Sequence, residues 1–285
     1  MPDGEITEQH GTPALKLKFA TSDTRHKILF LGDLHWDHPR CDRTTLKRIL
    51  DDALAQNAWI VLVGDTFCLM QGKNDRRSNK DDIRPEHNTE DYFGAVIDTA
   101  KQWFEPYARN MWIVLEGNHE SSAKRNHEFD VTRAFVTALN DKTGSKIIYP
   151  GYSTYALIRT ETHGTRRETK TLWLAHGHGG GGEVTKGTIQ AQRRAVMFPD
   201  AEYLVSGHIH SDYYVAHDQW RITKEGKAYA MKQRHYVVNT FKEEFKKGKG
   251  GYHVERGRGP KIPSGWMSEW FNRSDKIHGR WFEAY

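Results

Sequence analysis

Five short apolar runs, each ending abruptly in glycine, aspartate, asparagine or histidine, constrain this chain more than any other feature. In order they read "KILFLGDLH", "AWIVLVGD", "MWIVLEGNHE", "TLWLAHGH" and "EYLVSGHIH". Apolar runs this short, without alternation, are the pattern of strands buried on both faces. Between them lie stripes at helical spacing. Leu46, Ile49, Leu50, Ala53 and Leu54 form one, with Asp42 or Thr44 as N-cap. Phe93, Val96, Ile97, Ala100 and Phe104 form a second, and Phe129, Ala134, Phe135, Ala138 and Leu139 a third. Core packing accounts for all three. The alternation predicts an α/β chain, layered α-β-β-α, with sheets flanked by helices. Tyr152–Arg159 and Thr169–Leu174 read as a hairpin around "ETHGTRRE", which makes the sheets mixed.

With 285 residues, 37% hydrophobic, the chain can bury a sizeable core. The expectation is a single domain over 1–285. Residues 1–24 read as a loose N-terminal arm. Residues 241–285 read as a basic, aromatic C-terminal extension packed on the core. The segment 71–91 is charged and poor in apolar residues, which fits a solvated loop or a lid facing substrate. Two cysteines, Cys41 and Cys68, cannot build a disulfide framework, so a reducing cytoplasm is expected. The N-terminus lacks the pattern of a signal peptide, and no apolar run is long enough for a membrane span. No membrane partner is therefore expected, and nothing in the sequence fixes an oligomeric state.

Ligands of α/β sheets collect beyond the carboxyl ends of strands. Here five strand ends carry Asp33 and His35, Asp65, Asn118 and His119, His176 and His178, and His208 and His210. One histidine after a strand is usually structural. Packing does not explain oxygen and nitrogen donors at five ends, where it would favour apolar residues. Asp33 and His35 stand at i and i+2, as do His208 and His210, so on extended backbone each pair shares a face. With Asp65, Asn118 and His176 these make seven candidate ligands, too many for one tetrahedral ion. Two ions with one shared carboxylate fit the count. Imidazole, carboxylate and amide donors suit Mn first, with Fe, Zn, Ni or Co as alternatives. A two-metal site suits phosphoryl transfer to water. His119, next to Asn118, can face substrate as the acid for the leaving oxygen.

The motifs "GDLH", Gly64–Asp65, "GNHE", "HGH" and "GHIH" together resemble the calcineurin-like metallophosphoesterases. Each motif alone is weak. All five in order, from Gly32 to His210, are specific. The resemblance implies a β-sandwich flanked by helices and a binuclear centre, with attack by a metal-bridging water. By that pattern Asp33, His35, Asp65 and His210 hold one ion. Asp65, Asn118, His176 and His208 hold the other, with Asp65 bridging, and His119 matches the catalytic histidine. One departure is "GDTFC", where the family often has aspartate or asparagine at the place of Cys68.

Family and metals do not choose a substrate. The net charge of +5 favours a phosphodiesterase acting on nucleic acid or a nucleotide. Arg76, Arg77, Arg84, Lys124, Arg125, Arg193 and Arg194 are candidate phosphate contacts, Arg77 and Arg125 foremost, although each also reads as ordinary surface charge. The alternative is a phosphomonoesterase acting on a phosphoprotein or small metabolite. A scaffold without activity is disfavoured because no expected ligand is missing. In "LAHGHGGGGE", His176 takes the ligand position, and His178 is a substrate contact or a turn residue. The glycines are not a phosphate-binding loop, because no "GK[ST]" follows. They read as backbone passing close over the metals.

Overall fold

The structure is a computed structural model. It describes residues 2–70, 79–162, 166–180, 184–185, 187–245, 254, 259, 261–274 and 276–285. Arg76 and Arg77, with the rest of the charged loop from 71 to 78, lie outside the described residues.

Three of the apolar runs form β3 (Arg25–Leu31), β4 (Trp59–Val63) and β5 (Met111–Leu115), parallel to one another. Both faces of β4 and β5 are buried, which is why their sequences do not alternate. Ile28, Phe30, Val61, Val63 and Leu115 point into the core between two sheets. Leu29, Leu31, Ile60, Leu62 and Val114 point the other way, toward α1 (Arg43–Ala55), α2 (Tyr92–Phe104) and α4 (Val131–Thr143). Asp42 caps α1 by accepting the Thr45 amide at 3.0 Å.

The hairpin is present as β6 (Ser153–Thr162) paired antiparallel with β7 (Arg166–Ala175). These join β1 (Glu5–Gln9), β2 (Thr12–Phe19), β8 (Tyr203–Ser206), β9 (Tyr213–Ile222) and β10 (Ala228–Val237). The resulting seven-stranded mixed sheet runs β1-β2-β6-β7-β8-β10-β9. On its outer side lies α5 (Thr188–Met197), whose following Phe198 stacks on Trp173 with centroids 3.9 Å apart. Two mixed sheets flanked by helices are thus the observed architecture.

One expectation is corrected. The described residues 2–24 of the N-terminal segment are not a loose arm. β2 pairs with β6, and the alternation Leu15, Leu17, Phe19 buries one face completely in the intersheet core. The described part of the 71–91 segment is mostly exposed but anchored by a few side chains. Arg84 Nε donates to the His38 carbonyl at 3.1 Å, the His38 imidazole faces Asp82 at 3.2 Å, and His87 is buried against Trp36. The C-terminal residues supply β11 (Gly265–Arg273) and β12 (Lys276–Ala284). β11 pairs antiparallel with β3, which gives the five-stranded order β12-β11-β3-β4-β5.

Candidate metal centre

The ends of β3, β4, β5, β7 and β8 converge at one edge of the sandwich, and the seven expected ligands meet there. Each of the two aspartates is divided between two tasks. Asp33 Oδ2 accepts the His208 amide at 2.8 Å, leaving Oδ1 3.1 Å from His210 Nε2. Asp65 Oδ1 accepts the His119 amide at 2.9 Å, leaving Oδ2 3.2 Å from His176 Nε2. One oxygen therefore ties two motif loops together and the other points into the pocket.

The pocket donors fall into two tight groups. Ligand atoms of Asp33, His35 and His210 lie within 4.8 Å of one another, as do those of Asp33, Asp65 and His176. Asn118 Oδ1 adds to the second, 3.0 Å from His176 Nε2 and 2.7 Å from His208 Nδ1. Asp33 is common to both groups, while Asp65 enters the second.

Such an arrangement fits divalent ions better than it fits hydrogen bonding alone. His35 Nε2 faces His210 Nε2 at 3.3 Å, two ring nitrogens aimed at one point. Asp33 Oδ1 is fully buried outside hydrogen-bonding geometry, and buried polar atoms ordinarily find partners. Burial, then His119, holds the His35 imidazole well below its usual pKa, so it is neutral and able to ligate. Burial would raise Asp65, but His176 and His119 outweigh it and hold the carboxylate well below the usual range. Burial likewise opposes protonation of His176, yet Asp65 and Asp33 raise it to about 10.

The backbone reaches this convergence differently from the expected extended i, i+2 pairs. Asp33, His35, Asp65, His208 and His210 have φ of +49°, +47°, +47°, +77° and +52°. Left-handed backbone at non-glycine residues is uncommon and clusters at functional sites. Each turn brings a side chain back over the strand end where extended chain would carry it away. A glycine makes room for one of them: any side chain on Gly207 would overlap the Asp33 carboxylate.

A sequence model described as calcineurin-like phosphoesterase matches residues 26–212. The chain belongs to the calcineurin-like phosphoesterase family. Membership supports metal-dependent phosphoester hydrolysis, and the groups above are its candidate metal-binding residues. Among solved structures, this calcineurin-like chain is similar to vacuolar protein sorting 29 from Cryptosporidium parvum, at 13% identity and TM-score 0.38, covering 92% of this chain and 98% of that one. It is similar to zinc-complexed Vps29 from Entamoeba histolytica, at 10% identity and TM-score 0.31, covering 91% and 99%. It is also similar to GAP50, the anchor in the inner membrane complex of Plasmodium, at 11% identity and TM-score 0.41, covering 91% and 85%. No curated protein matches the chain significantly.

His119 stands at the mouth of the pocket, with 16% of its side chain exposed and Nε2 3.9 Å from Asp65 Oδ2. Its Nδ1 lies 2.6 Å from the Cys68 carbonyl, which fixes the ring. His178 is exposed and in neither donor group. Arg125 is exposed in the last turn of α3 (Asn118–His127), about two turns from Asn118. Lys124 is bound to Asp130 at 2.8 Å, and Arg194 is turned inward, its Nη1 donating to Ser206 Oγ at 2.5 Å. Of the glycines after His176, Gly177 is buried at φ +108° against the Gly207 carbonyl, Gly179 is exposed at φ +88° against the Gln190 side chain, and Gly180 is exposed in open space. Gly181 and Gly182 lie outside the described residues.

Two positioning residues escaped the sequence reading. Glu120, buried inside α3, accepts the Gly117 amide at 2.7 Å and the Phe67 amide at 2.8 Å, joining the second and third motif loops. Its place three residues into a helix after "GN" is the signal that could have found it. Burial, then Asp65, raises its carboxyl to about 8. Asp37 accepts the amides of Cys68 and Leu69 and the Tyr92 hydroxyl, holding the loop after Asp65. Nothing in "GDLHWDH" distinguishes it from a surface aspartate. Among the described residues no helix is long and apolar enough to cross a membrane.

Proposed function

We propose that the protein is a binuclear phosphodiesterase acting on a nucleotide or nucleic acid. The observation that carries the metal chemistry is the buried meeting of two nitrogen–oxygen donor groups beside a solvent-reaching imidazole. Asp33, His35, Asp65 and His210 would hold one divalent ion, and Asp65, Asn118, His176 and His208 the other, Mn being the first candidate. Ions bound there would supply Lewis acidity to the phosphoryl oxygens and lower the pKa of a water.

The protein's own contribution is position and a proton. Buried Asp33 and Asp65 keep their charges fixed by amide hydrogen bonds, so little reorganisation accompanies reaction. To deliver a proton from Nε2, His119 must carry hydrogens on both ring nitrogens. The Nδ1 hydrogen is held by the Cys68 carbonyl, which leaves Nε2 facing the mouth for the leaving oxygen. Exposed Arg193 and the net charge of +5 support a polyanionic diester as substrate, and Arg125 is proposed as a contact on the sequence argument alone. Arg77 and His178 are proposed as further substrate contacts on the sequence argument alone.

The test is turnover with Mn²⁺ of bis-p-nitrophenyl phosphate, p-nitrophenyl phosphate, and labelled single- and double-stranded DNA and RNA. Diester cleavage extending to a polynucleotide or nucleotide is expected. Preference for the monoester would reverse the reading toward a phosphomonoesterase, and metal binding without turnover would make the protein a scaffold.

A further inference from the structure

A third donor group adjoins the two described above. One ligand atom each from His35, Cys68 and His119 lie within 4.8 Å of one another. Cys68 is 1% exposed and follows the turn that carries Asp65. Its backbone is held on both sides. Asp37 accepts its amide, and its carbonyl bonds the His119 ring. The sulfur lies on the His35 side of the pocket, grouped with His35 and His119 and sharing only His35 with the group of Asp33, His35 and His210. Lys242 Nζ lies 3.9 Å from Sγ, close enough to offset negative charge that a sulfur ligand brings. Cys41, the second cysteine, is also buried but joins no donor group among the described residues.

We propose that Cys68 is a sulfur ligand of the ion held by Asp33, His35 and His210, and biases that site toward thiophilic metals. The inference rests on the two-metal reading and adds to it. Carboxylate and imidazole alone accept Mn²⁺ readily, whereas sulfur favours Zn²⁺, Cd²⁺ or Co²⁺. "GDTFC" is then a change of ligand chemistry at the first ion, where the sequence alone shows only a lost polar residue. The two ions of the pocket would accordingly differ in kind, the sulfur-bearing site taking the softer one.

The test is optical and does not depend on activity. The full chain, stripped with chelator, is titrated with Co²⁺ alone. Visible d–d bands report binding, and a near-ultraviolet sulfur-to-cobalt band reports a cysteine ligand. Wild type and Cys41→Ser should show both, and Cys68→Ser should keep the d–d bands and lose the sulfur band. Calorimetry with Cd²⁺ and Mn²⁺ should show the affinity ratio falling by at least ~10-fold in Cys68→Ser, the scale of a lost metal-site contact. If Cys68→Ser does not fold by circular dichroism, Cys41→Ser decides alone, since its one remaining thiol is Cys68. Strong d–d bands without a sulfur band would overturn this inference and leave the two-metal reading standing. Absence of d–d bands in wild type would overturn both.

Discussion

A side chain on Gly117 would overlap the carboxylate of Asp65 and its backbone amide. The glycine of the third motif thus sets how closely β5 approaches the ligand of the second. Gly117→Ala should displace Asp65 and weaken metal binding by ~10–100-fold, while the helices and sheets persist. Calorimetric Mn²⁺ titration with circular dichroism checks this. An unchanged affinity would mean the neighbouring loops yield at no cost.

Asp65→Ala or His208→Ala should abolish hydrolysis of bis-p-nitrophenyl phosphate and leave a folded chain. Asp65 and His208 sit in different motif loops, Asp65 accepting the His119 amide and His208 Nδ1 lying against Asn118 Oδ1. Elemental analysis should find metal lost with activity. Undiminished turnover in either variant would remove the metal assignment.

For His119→Ala, metal content should be retained and turnover should fall by ~10²–10⁴-fold, the usual worth of a general acid. The loss should shrink for a substrate whose leaving group needs no proton, such as a p-nitrophenyl ester. Loss of metal instead would make His119 a ligand, as its place beside His35 and Cys68 permits.

Metal uptake should release a proton. Asp65 and Asp33, outweighing burial, raise His176 to about 10, so the metal-free pocket is protonated at neutral pH. A divalent ion must displace that proton. Affinity should therefore strengthen ~10-fold per pH unit as pH rises toward about 10, and weaken by the same factor as it falls. Calorimetry in buffers of different ionisation enthalpy measures the proton count. Affinity constant between neutral and mildly alkaline pH would refute the coupling.

The candidate donors were legible in the sequence because strand ends are. Asp33, Asp65, Asn118, His176 and His208 each follow an apolar run too regular to be loop. Their backbone was not legible. Propensity assigns extended backbone to an aspartate and histidine after a strand, but the structure holds them left-handed, a choice made by tertiary convergence. The strand over Thr12–Phe19 was written in the alternation of "ALKLKF", yet its polar neighbours mask it. Charge was the poorest guide. Arg125 follows "GNHE" closely in sequence, but the helix carries it away. Arg194, counted as a phosphate contact, is spent inside the fold on Ser206.

β3, which presents the first aspartate, lies between β4 and β11, and Ser268 Oγ reaches the Ile28 carbonyl across 240 residues of chain. A ribosome releases β3 long before it releases that neighbour. Until Gly265–Arg273 emerges, the nascent chain carries an open strand edge beside Asp33. Pairings this distant in sequence form slowly, and open edges of this kind invite association with other chains. The sheet that carries the candidate metal centre is consequently completed late in the life of each molecule, after synthesis of the β11–β12 hairpin.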